Sequence, residues 1–250
     1  MMREEHPFPH MVCENFFPED EARAIAEEFP QFVRERPWHT YSNPLEDKLT
    51  CNDWNAFGPA TYSAFTRLNS PAFVEELRAW FGLKVPLYID PGLHGGGLHA
   101  HAIGGKLNTH LDYVLHPKLR LQRKLNLLVY LNPRWRDDWG GSLGLWEARE
   151  NGPGALVKAI EPRFNRAVIF ATPNAWHGLP EPIACPAGEV RQSMAVYYLT
   201  DPEPDCEQRT RALFAPRPEQ QDDAKVLALI QARADESRVA QSYRTSAGGP

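Results

Sequence analysis

The chain has 250 residues, a length that suits one domain with a substantial core and is short for two. Hydrophobic residues make up 42% and charged residues 24%, which is typical of globular rather than disordered proteins. A formal net charge of −5 argues against a protein that binds DNA or RNA, because such proteins need a basic surface.

Neither targeting nor redox signals stand out in the sequence. The four cysteines form no CxxC pair, so a zinc ribbon is not expected. No apolar segment typical of a signal peptide begins the chain, and no stretch reaches the length of a transmembrane helix. We therefore expect a cytoplasmic protein with no membrane partner. The sequence does not indicate its oligomeric state.

Three helices are predicted in the first third of the chain. Pro18 and the three acidic residues after it indicate a helix start, because acidic side chains favour the positive end of the helix dipole. A second helix is predicted over Pro59–Leu68. The third follows Ser70 as its N-cap and ends before Gly82.

Between the first two helices, the stretch Pro37–Asn55 has no sustained hydrophobic period and predicts a long loop. Long loops in compact domains are often functional, so this one is a candidate lid over a substrate site. Its aromatic residues Trp38, Tyr41 and Trp54 are more typical of core packing than of substrate contact.

From Val85 onward the hydrophobic period changes to two, which predicts β-strands. A hairpin around Gly104-Gly105 would join strands over Leu98–Ile103 and Lys106–Asp112. Further strands are predicted over Leu125–Leu131, Leu143–Glu147, Leu156–Glu161, Arg166–Thr172 and Val190–Thr200. Many short strands without interleaved helices predict a mainly β fold with flanking helices. Their number fits a double-stranded β-helix, the cupin-type jelly roll.

We expect a single domain over residues 1–215, with a helical N-terminal support in residues 1–84 and the jelly-roll core at about 85–201. A C-terminal helix is predicted over residues 216–241, packed outside the barrel. The tail, residues 242–250, has nothing to bury and is expected to be disordered.

The stretch Lys106–Asp112 reads KLNTHLD and contains a candidate metal-binding pair. Side chains alternate across a strand, so His110 and Asp112 can project to the same side. An imidazole and a carboxylate placed in this way are two of the three protein ligands of a six-coordinate ferrous ion. The third ligand would be a histidine from a distant strand. Alone the pattern is weak, because a chain with nine histidines contains such a pair by chance.

The chain downstream of Asp112 strengthens this interpretation. It contains, in order, RKLNLLVYLN from Arg123, GGSLGLWE from Gly140, IEPRFNR from Ile160, then His177, and finally Arg191-Gln192-Ser193. This order resembles the iron(II)- and 2-oxoglutarate-dependent dioxygenases, and among them the prolyl-hydroxylase-like branch, over about Leu98–Thr200. The resemblance implies a jelly-roll core, ferrous iron, 2-oxoglutarate and dioxygen as co-substrates, and succinate and carbon dioxide as co-products.

The resemblance also implies roles for particular residues. His110, Asp112 and His177 would hold the iron. Arg191 would bind the distal carboxylate of 2-oxoglutarate, a task to which its planar guanidinium is suited. The other residues expected around the co-substrate are Ser193, Tyr130 and Leu128. His177 and Arg191 are fourteen residues apart, which is longer than usual in this branch, and the proline-rich LPEPIACPAG fills the interval.

The function expected from this resemblance is hydroxylation of a C–H bond in a prolyl-like residue or small polar substrate, peptidyl or free. Retention of the carboxylate of Asp112 favours hydroxylation over halogenation. Three alternatives remain open: a hydroxylase that tailors a glycan or secondary metabolite, a zinc hydrolase on a cupin-like barrel, and a non-catalytic cupin-fold binding protein.

His99 and His101 share a strand face near the site, and core packing and substrate contact are equally compatible with them. A run of basic residues is expected to be a solvated loop leading into a strand: Lys118, Arg120, Arg123 and Lys124.

Overall fold

Two antiparallel sheets make up most of this computed structural model, which describes residues 2–234. Strands β1 to β8 span Arg3–Glu4, His10–Cys13, His39–Asn43, Glu46–Cys51, Tyr88–Ile89, Gly97–His101, Lys106–Leu107 and His110–Leu111. Strands β9 to β15 span Gln122–Tyr130, Leu143–Arg149, Gly152–Ile160, Ala167–Ala171, Trp176–Gly178, Arg191–Thr200 and Leu213–Phe214.

The larger sheet has ten strands and the smaller has five. The larger follows the order β1-β2-β12-β9-β14-β6-β4-β3, with β5 paired to β14 and β7 paired to β4. The smaller follows the order β11-β10-β13-β8-β15. Side chains from both sheets meet in one buried cluster, where Tyr130 and Phe170 of the larger sheet pack with Leu145 and Ile160 of the smaller. The two sheets therefore face each other.

Alternation along the central strands gives the larger sheet two distinct faces. In β9, Leu127 and Val129 pack with the helices, and in β14 Val196 does the same. The residues between them point the other way, toward the smaller sheet. This inward face carries the polar side chains of the candidate site.

Four helices flank the sheets: α1 at Glu19–Glu27, α2 at Pro59–Leu68, α3 at Pro71–Trp80 and α4 at Ala224–Ala234. The first three confirm the predicted helices. The hydroxyl of Ser70 caps α3 by accepting a hydrogen bond from the Phe73 amide at 3.3 Å, and Pro71 occupies the first turn. Within residues 2–234, none of the helices has the length and apolar character needed to cross a membrane.

The prediction of a long loop over Pro37–Asn55 is wrong. Strands β3 and β4 form an antiparallel hairpin, and β4 extends the larger sheet by pairing with β6. The exposed side chains of β3 carry no apolar alternation, so the sequence showed no strand period there. Because of this hairpin, the region before residue 85 supplies strands of the larger sheet as well as helices.

The predicted hairpin around Gly104-Gly105 is also wrong. Strands β6 and β7 do not pair with each other. Each of them pairs with β4 instead. The chain then leaves the larger sheet after Leu107 and enters the smaller one at His110, which pairs with β13. The expected strand over Lys106–Asp112 is therefore divided between the two sheets.

The C-terminal helix predicted over residues 216–241 is seen in part. A single 3₁₀ turn covers Pro218–Gln220 and α4 follows, with Val226 buried against Phe214 of β15. The rest of that prediction and the tail at 242–250 lie outside the described residues.

Candidate active site

The three predicted metal ligands come together on the smaller sheet. His177 of β13 lies directly opposite His110 of β8, and the two ring centroids are 4.3 Å apart. Oxygen atoms of the Asp112 carboxylate lie 3.8 Å from Nε2 of His110 and 3.7 Å from Nε2 of His177. One ligand atom from each residue fits within a 4.8 Å cluster, and all three residues are buried. A group of donor atoms this close together could hold one metal ion.

Backbone carbonyls fix the orientation of both imidazoles. Nδ1 of His110 lies 3.0 Å from the carbonyl oxygen of Asn108, and Nδ1 of His177 lies 2.8 Å from that of Ala175. A carbonyl oxygen can only accept, so each Nδ1 carries the proton and each Nε2 presents its lone pair to the site. Anchoring the second ring nitrogen in this way is usual for metal-binding histidines. Desolvation, reinforced by His177, lowers the pKa of His110 to about 3, which keeps the ring neutral.

Three side chains surround the Asp112 carboxylate. The Tyr197 hydroxyl donates to Oδ1 at 3.3 Å and the Asn126 amide donates to Oδ2 at 3.3 Å. Nη1 of Arg123 lies 3.3 Å from Oδ1. Burial alone would raise the pKa of this carboxyl, but the charge of Arg123 outweighs that effect and the pKa is lowered to about 2. Asp112 is therefore a fixed anion.

Arg123 is a site residue that the sequence interpretation missed. Its guanidinium carbon lies 3.3 Å from the ring centroid of Tyr113 and 3.2 Å from that of Tyr197, so it is clamped between two aromatic faces. The expectation of a solvated loop is wrong here, because only 2% of Arg123 is exposed.

A register shift explains why Arg123 escaped detection. Tyr198 of β14 pairs with Leu125, but the next residue, Leu199, pairs with Arg123 rather than with Lys124. The extra residue is a β-bulge, which reverses the alternation of side chains. Strict alternation would send Arg123 to the helix side with Leu125, whereas the bulge turns it into the site. A bulge of this kind leaves no signal in the hydrophobic pattern.

Arg191 is a buried cation that no carboxylate of residues 2–234 approaches within ion-pair distance. Its Nε donates to the Gly141 carbonyl at 2.7 Å, and its guanidinium lies 4.9 Å from the ring centroid of Tyr130. Gly141 adopts a φ of +80°, and a Cβ at this position would lie 2.9 Å from Cδ of Arg191. Desolvation lowers the pKa of Arg191. A buried guanidinium without an anionic partner indicates a site for an anionic ligand.

The other predicted co-substrate residues lie beside Arg191. Ser193 is two residues further along β14, on the same face, and it pairs across the sheet with Tyr130. The Tyr130 hydroxyl is buried and makes no hydrogen bond to the part of the chain that is described. Leu128 lines the same pocket. The structure thus brings Arg191, Ser193 and Leu128 into one pocket with His110, Asp112 and His177, and Tyr130 lies beside Arg191.

The three candidate metal ligands, Arg191, Ser193 and Leu128 line a pocket of about 670 Å³. His99 and His101 of β6 line it, and so does Tyr41 of the β3–β4 hairpin. Trp38 is buried against Phe29, and Trp54 packs on Phe65, as the core interpretation predicted. The hairpin is thus a wall of the pocket rather than a loose lid.

Comparison with known proteins shows what the second half of the chain resembles. Residues 96–208 match the family model described as the 2OG-Fe(II) oxygenase superfamily. Prolyl 3-hydroxylase OGFOD1 of Xenopus laevis is 35% identical to this chain over 78 residues, which cover 30% of this chain and 15% of that protein. The chain therefore aligns with only a small part of this relative.

Solved structures share the fold at low sequence identity. A Pseudomonas putida prolyl-4-hydroxylase superposes with a TM-score of 0.55 at 16% identity, covering 78% of this chain and 93% of that one. A prolyl hydroxylase from Trichoplax adhaerens, solved with a peptide of hypoxia inducible factor, gives 0.51 at 18% identity, covering 76% and 83%. The predicted double-stranded β-helix is confirmed. Residues 96–208, somewhat less than half of the chain, are thus similar to the 2OG-Fe(II) oxygenase superfamily.

Proposed function

We propose that this protein is an iron(II)- and 2-oxoglutarate-dependent dioxygenase that hydroxylates a C–H bond of a prolyl-like residue or a small polar substrate. The observation that carries the proposal is the buried set of His110, Asp112 and His177 next to the uncompensated cation of Arg191. The overall reaction converts substrate, 2-oxoglutarate and dioxygen into hydroxylated substrate, succinate and carbon dioxide.

The donor chemistry of the site fits ferrous iron. Two neutral imidazoles and one carboxylate on one side of an ion form the facial triad of non-haem iron oxygenases, which leaves coordination positions for substrates. Both Nε2 atoms are available, because each Nδ1 is already bonded to a carbonyl. When bound, the iron supplies the oxygen-activating chemistry together with 2-oxoglutarate and dioxygen.

The residues beside the triad fit 2-oxoglutarate. Its distal carboxylate would pair with the Arg191 guanidinium and accept hydrogen bonds from the hydroxyls of Tyr130 and Ser193. Each of these groups is buried. No carboxylate of residues 2–234 pairs with Arg191, and the Tyr130 hydroxyl has no hydrogen-bond partner among the same residues. Charge-assisted bonds in such an environment hold a ligand in one orientation. Leu128 would pack against its carbon chain.

The protein contributes orientation and exclusion of water. Arg123, Tyr197 and Asn126 hold the Asp112 carboxylate in a single position. The facing sheets enclose the ligands, since His110, Asp112 and His177 are each at most 8% exposed. A closed site of this kind strengthens electrostatic contacts and suppresses side reactions.

The two rivals from other classes fit the pocket less well. A zinc hydrolase would use the same triad but has no need of a buried, unpaired Arg191 next to it. A binding protein without activity would not need three oriented metal ligands. The prolyl preference is supported by the names of the relatives, a prolyl 3-hydroxylase and a prolyl-4-hydroxylase. A glycan or metabolite tailoring role is the alternative for the substrate.

An anaerobic titration tests the chemistry directly. Protein given iron(II) and then 2-oxoglutarate should develop the weak visible charge-transfer absorption of a chelated keto acid. Exposure to air with proline-containing peptides, metabolite extract or methylated oligonucleotides should then give products one oxygen heavier in the peptide or metabolite sample. Folded protein without the absorption band contradicts the assignment of the metal site. Loss of methyl groups from the oligonucleotides alone contradicts the substrate class.

A further inference from the structure

Three neighbouring strands present a row of basic side chains to the pocket. Arg191 of β14 pairs with His101 of β6. On the other side of β6, Leu49 of β4 pairs with Ala100. Continuing this antiparallel register by one residue places Lys48 opposite His101. The charges of both Arg191 and Lys48 act on His101, and all three residues line the pocket. His101 thus lies between two cations.

The acidic partner of Lys48 is shared with a second cation. Nζ of Lys48 lies 3.1 Å from one carboxylate oxygen of Glu46, and Nη2 of Arg233 lies 2.5 Å from the other. The Lys48 side chain is 14% exposed and that of Glu46 is 3% exposed, so little solvent screens this group. The Glu46 carboxylate is therefore not available to Lys48 alone, and Lys48 lines the pocket as a cation whose acidic partner is shared.

His101 adds unsatisfied hydrogen-bonding groups to the same place. It is 2% exposed, and neither of its ring nitrogens has a hydrogen-bond partner in the part of the chain that is described. Desolvation, together with Arg191 and Lys48, lowers its pKa well below the usual value, so the ring is neutral. A neutral imidazole offers one donor and one acceptor. Buried polar groups are rarely left unpaired, which indicates that a ligand completes them.

We infer that Lys48 and His101 form a subsite for a carboxylate carried by the substrate that is hydroxylated. This inference rests on the proposed function, because it assumes that Arg191 and the metal bind the two ends of 2-oxoglutarate. Both carboxylates of the co-substrate are then accounted for, one at Arg191 and one at the metal. Lys48 remains for a third carboxylate, which only the other substrate can supply.

Matched acid and amide probes test the subsite. We would load anaerobic protein with iron(II) and saturating 2-oxoglutarate and measure binding of two pairs by calorimetry: N-acetyl-L-proline with N-acetyl-L-prolinamide, and benzoate with benzamide. At least one acid should bind about tenfold or more tightly than its amide, the usual worth of a hydrogen bond to a charged group. Equal binding of acid and amide in both pairs, or no binding of either acid, overturns the inference.

Lysine variants show whether the preference for the acid comes from Lys48 or from the overall charge of the protein. Lys48→Met should remove the preference for the acid, whereas Lys84→Met, at an exposed lysine, should keep it. Glu46→Gln should strengthen binding of the acid, because it removes the carboxylate that competes for Lys48. A purely structural role for Lys48 would not produce these opposite signs. Unchanged acid binding in Lys48→Met overturns the inference.

His101→Phe distinguishes the two substrates. It should weaken binding of the acid and leave the concentration of 2-oxoglutarate that half-saturates the charge-transfer band unchanged. Weaker 2-oxoglutarate binding with unchanged acid binding would move His101 to the co-substrate and overturn its part in the subsite. Absence of the band in wild-type protein would instead contradict the proposed function, so the two failures are distinguishable.

Discussion

His110 and His177 face each other across paired strands, and each donates its Nδ1 proton to the carbonyl of the residue two positions earlier in the chain. Both imidazoles are therefore anchored by hydrogen bonds to their own backbone. The pairing of β8 with β13 sets their separation. We expect the ligand geometry to survive side-chain changes elsewhere in the pocket and to depend on the spacing of these two strands.

Replacing a metal ligand should abolish iron binding without unfolding the protein. Alanine at His110, Asp112 or His177 removes one of three donors from a site whose sheet pairing is made by the backbone. Anaerobic calorimetry with iron(II) would measure the affinity, and circular dichroism the fold. His6→Ala, at an exposed histidine, is the matched control. Iron affinity equal to wild type in any of the three variants would remove that residue from the set.

The spacing of β8 and β13 can be tested at Gly178. A Cβ at this position would lie 2.9 Å from the backbone oxygens of Leu107 and Asn108, which cannot move away cheaply. Gly178→Ala should therefore cost about 1–3 kcal/mol of stability, as overpacking does, and should weaken iron binding. Gly92→Ala, where the added atom meets only an ordinary contact, is the control. Wild-type iron affinity in Gly178→Ala would show that the strand spacing is not critical.

Arg191→Ala should weaken binding of 2-oxoglutarate by about 1.5–3 kcal/mol, the usual worth of hydrogen bonds to a charged group. Tyr130→Phe removes a single hydroxyl and should cost less. The midpoint of the charge-transfer titration measures both effects. An unchanged midpoint in Arg191→Ala would mean that another basic residue binds the distal carboxylate.

Arg123→Met should destabilise the protein and disturb the metal site together. The substitution leaves the buried Asp112 carboxylate without its cation, and breaking a buried pair typically costs about 3–5 kcal/mol. Denaturant unfolding of the metal-free protein would measure this cost. Added iron(II) should recover part of it, because the metal restores a positive charge beside Asp112. A loss of less than about 1 kcal/mol would show that the pair contributes little.

The metal-free protein should lose stability as the pH falls below the ordinary imidazole pKa of 6.5. The folded-state pKa of His110 is lowered to about 3, and that of His101 lies well below 6.5. The unfolded chain therefore takes up protons near pH 6.5 while the folded chain does not. Stability is complete above pH 6.5 and falls between 6.5 and about 3 by up to about 1.4 kcal/mol per pH unit for each imidazole.

Urea unfolding at several pH values between about 7.5 and 4.5 would measure this slope. His101→Phe should reduce it by removing one of the imidazoles. A flat profile over this range would contradict the burial of neutral histidines in the pocket.

The sequence by itself determined the mainly β fold and the first three helices, and it predicted the candidate metal ligands that the structure brings together. These features follow from local regularities: cap residues, a hydrophobic period of two, and an HxD pair followed in the expected order by His177 and Arg191. Such signals lie in short stretches of the chain, where backbone geometry fixes which side chains share a face.

Only the tertiary structure decided the rest of the pocket. The β3–β4 hairpin gains its strand conformation by pairing with β6, so its sequence carries no strand period of its own. Arg123 enters the site because a bulge reverses its face, and Arg233 reaches Glu46 from a helix that lies far away in the chain. These contacts join residues distant in sequence, and the free energy of burying their charges depends on partners that no local pattern reveals.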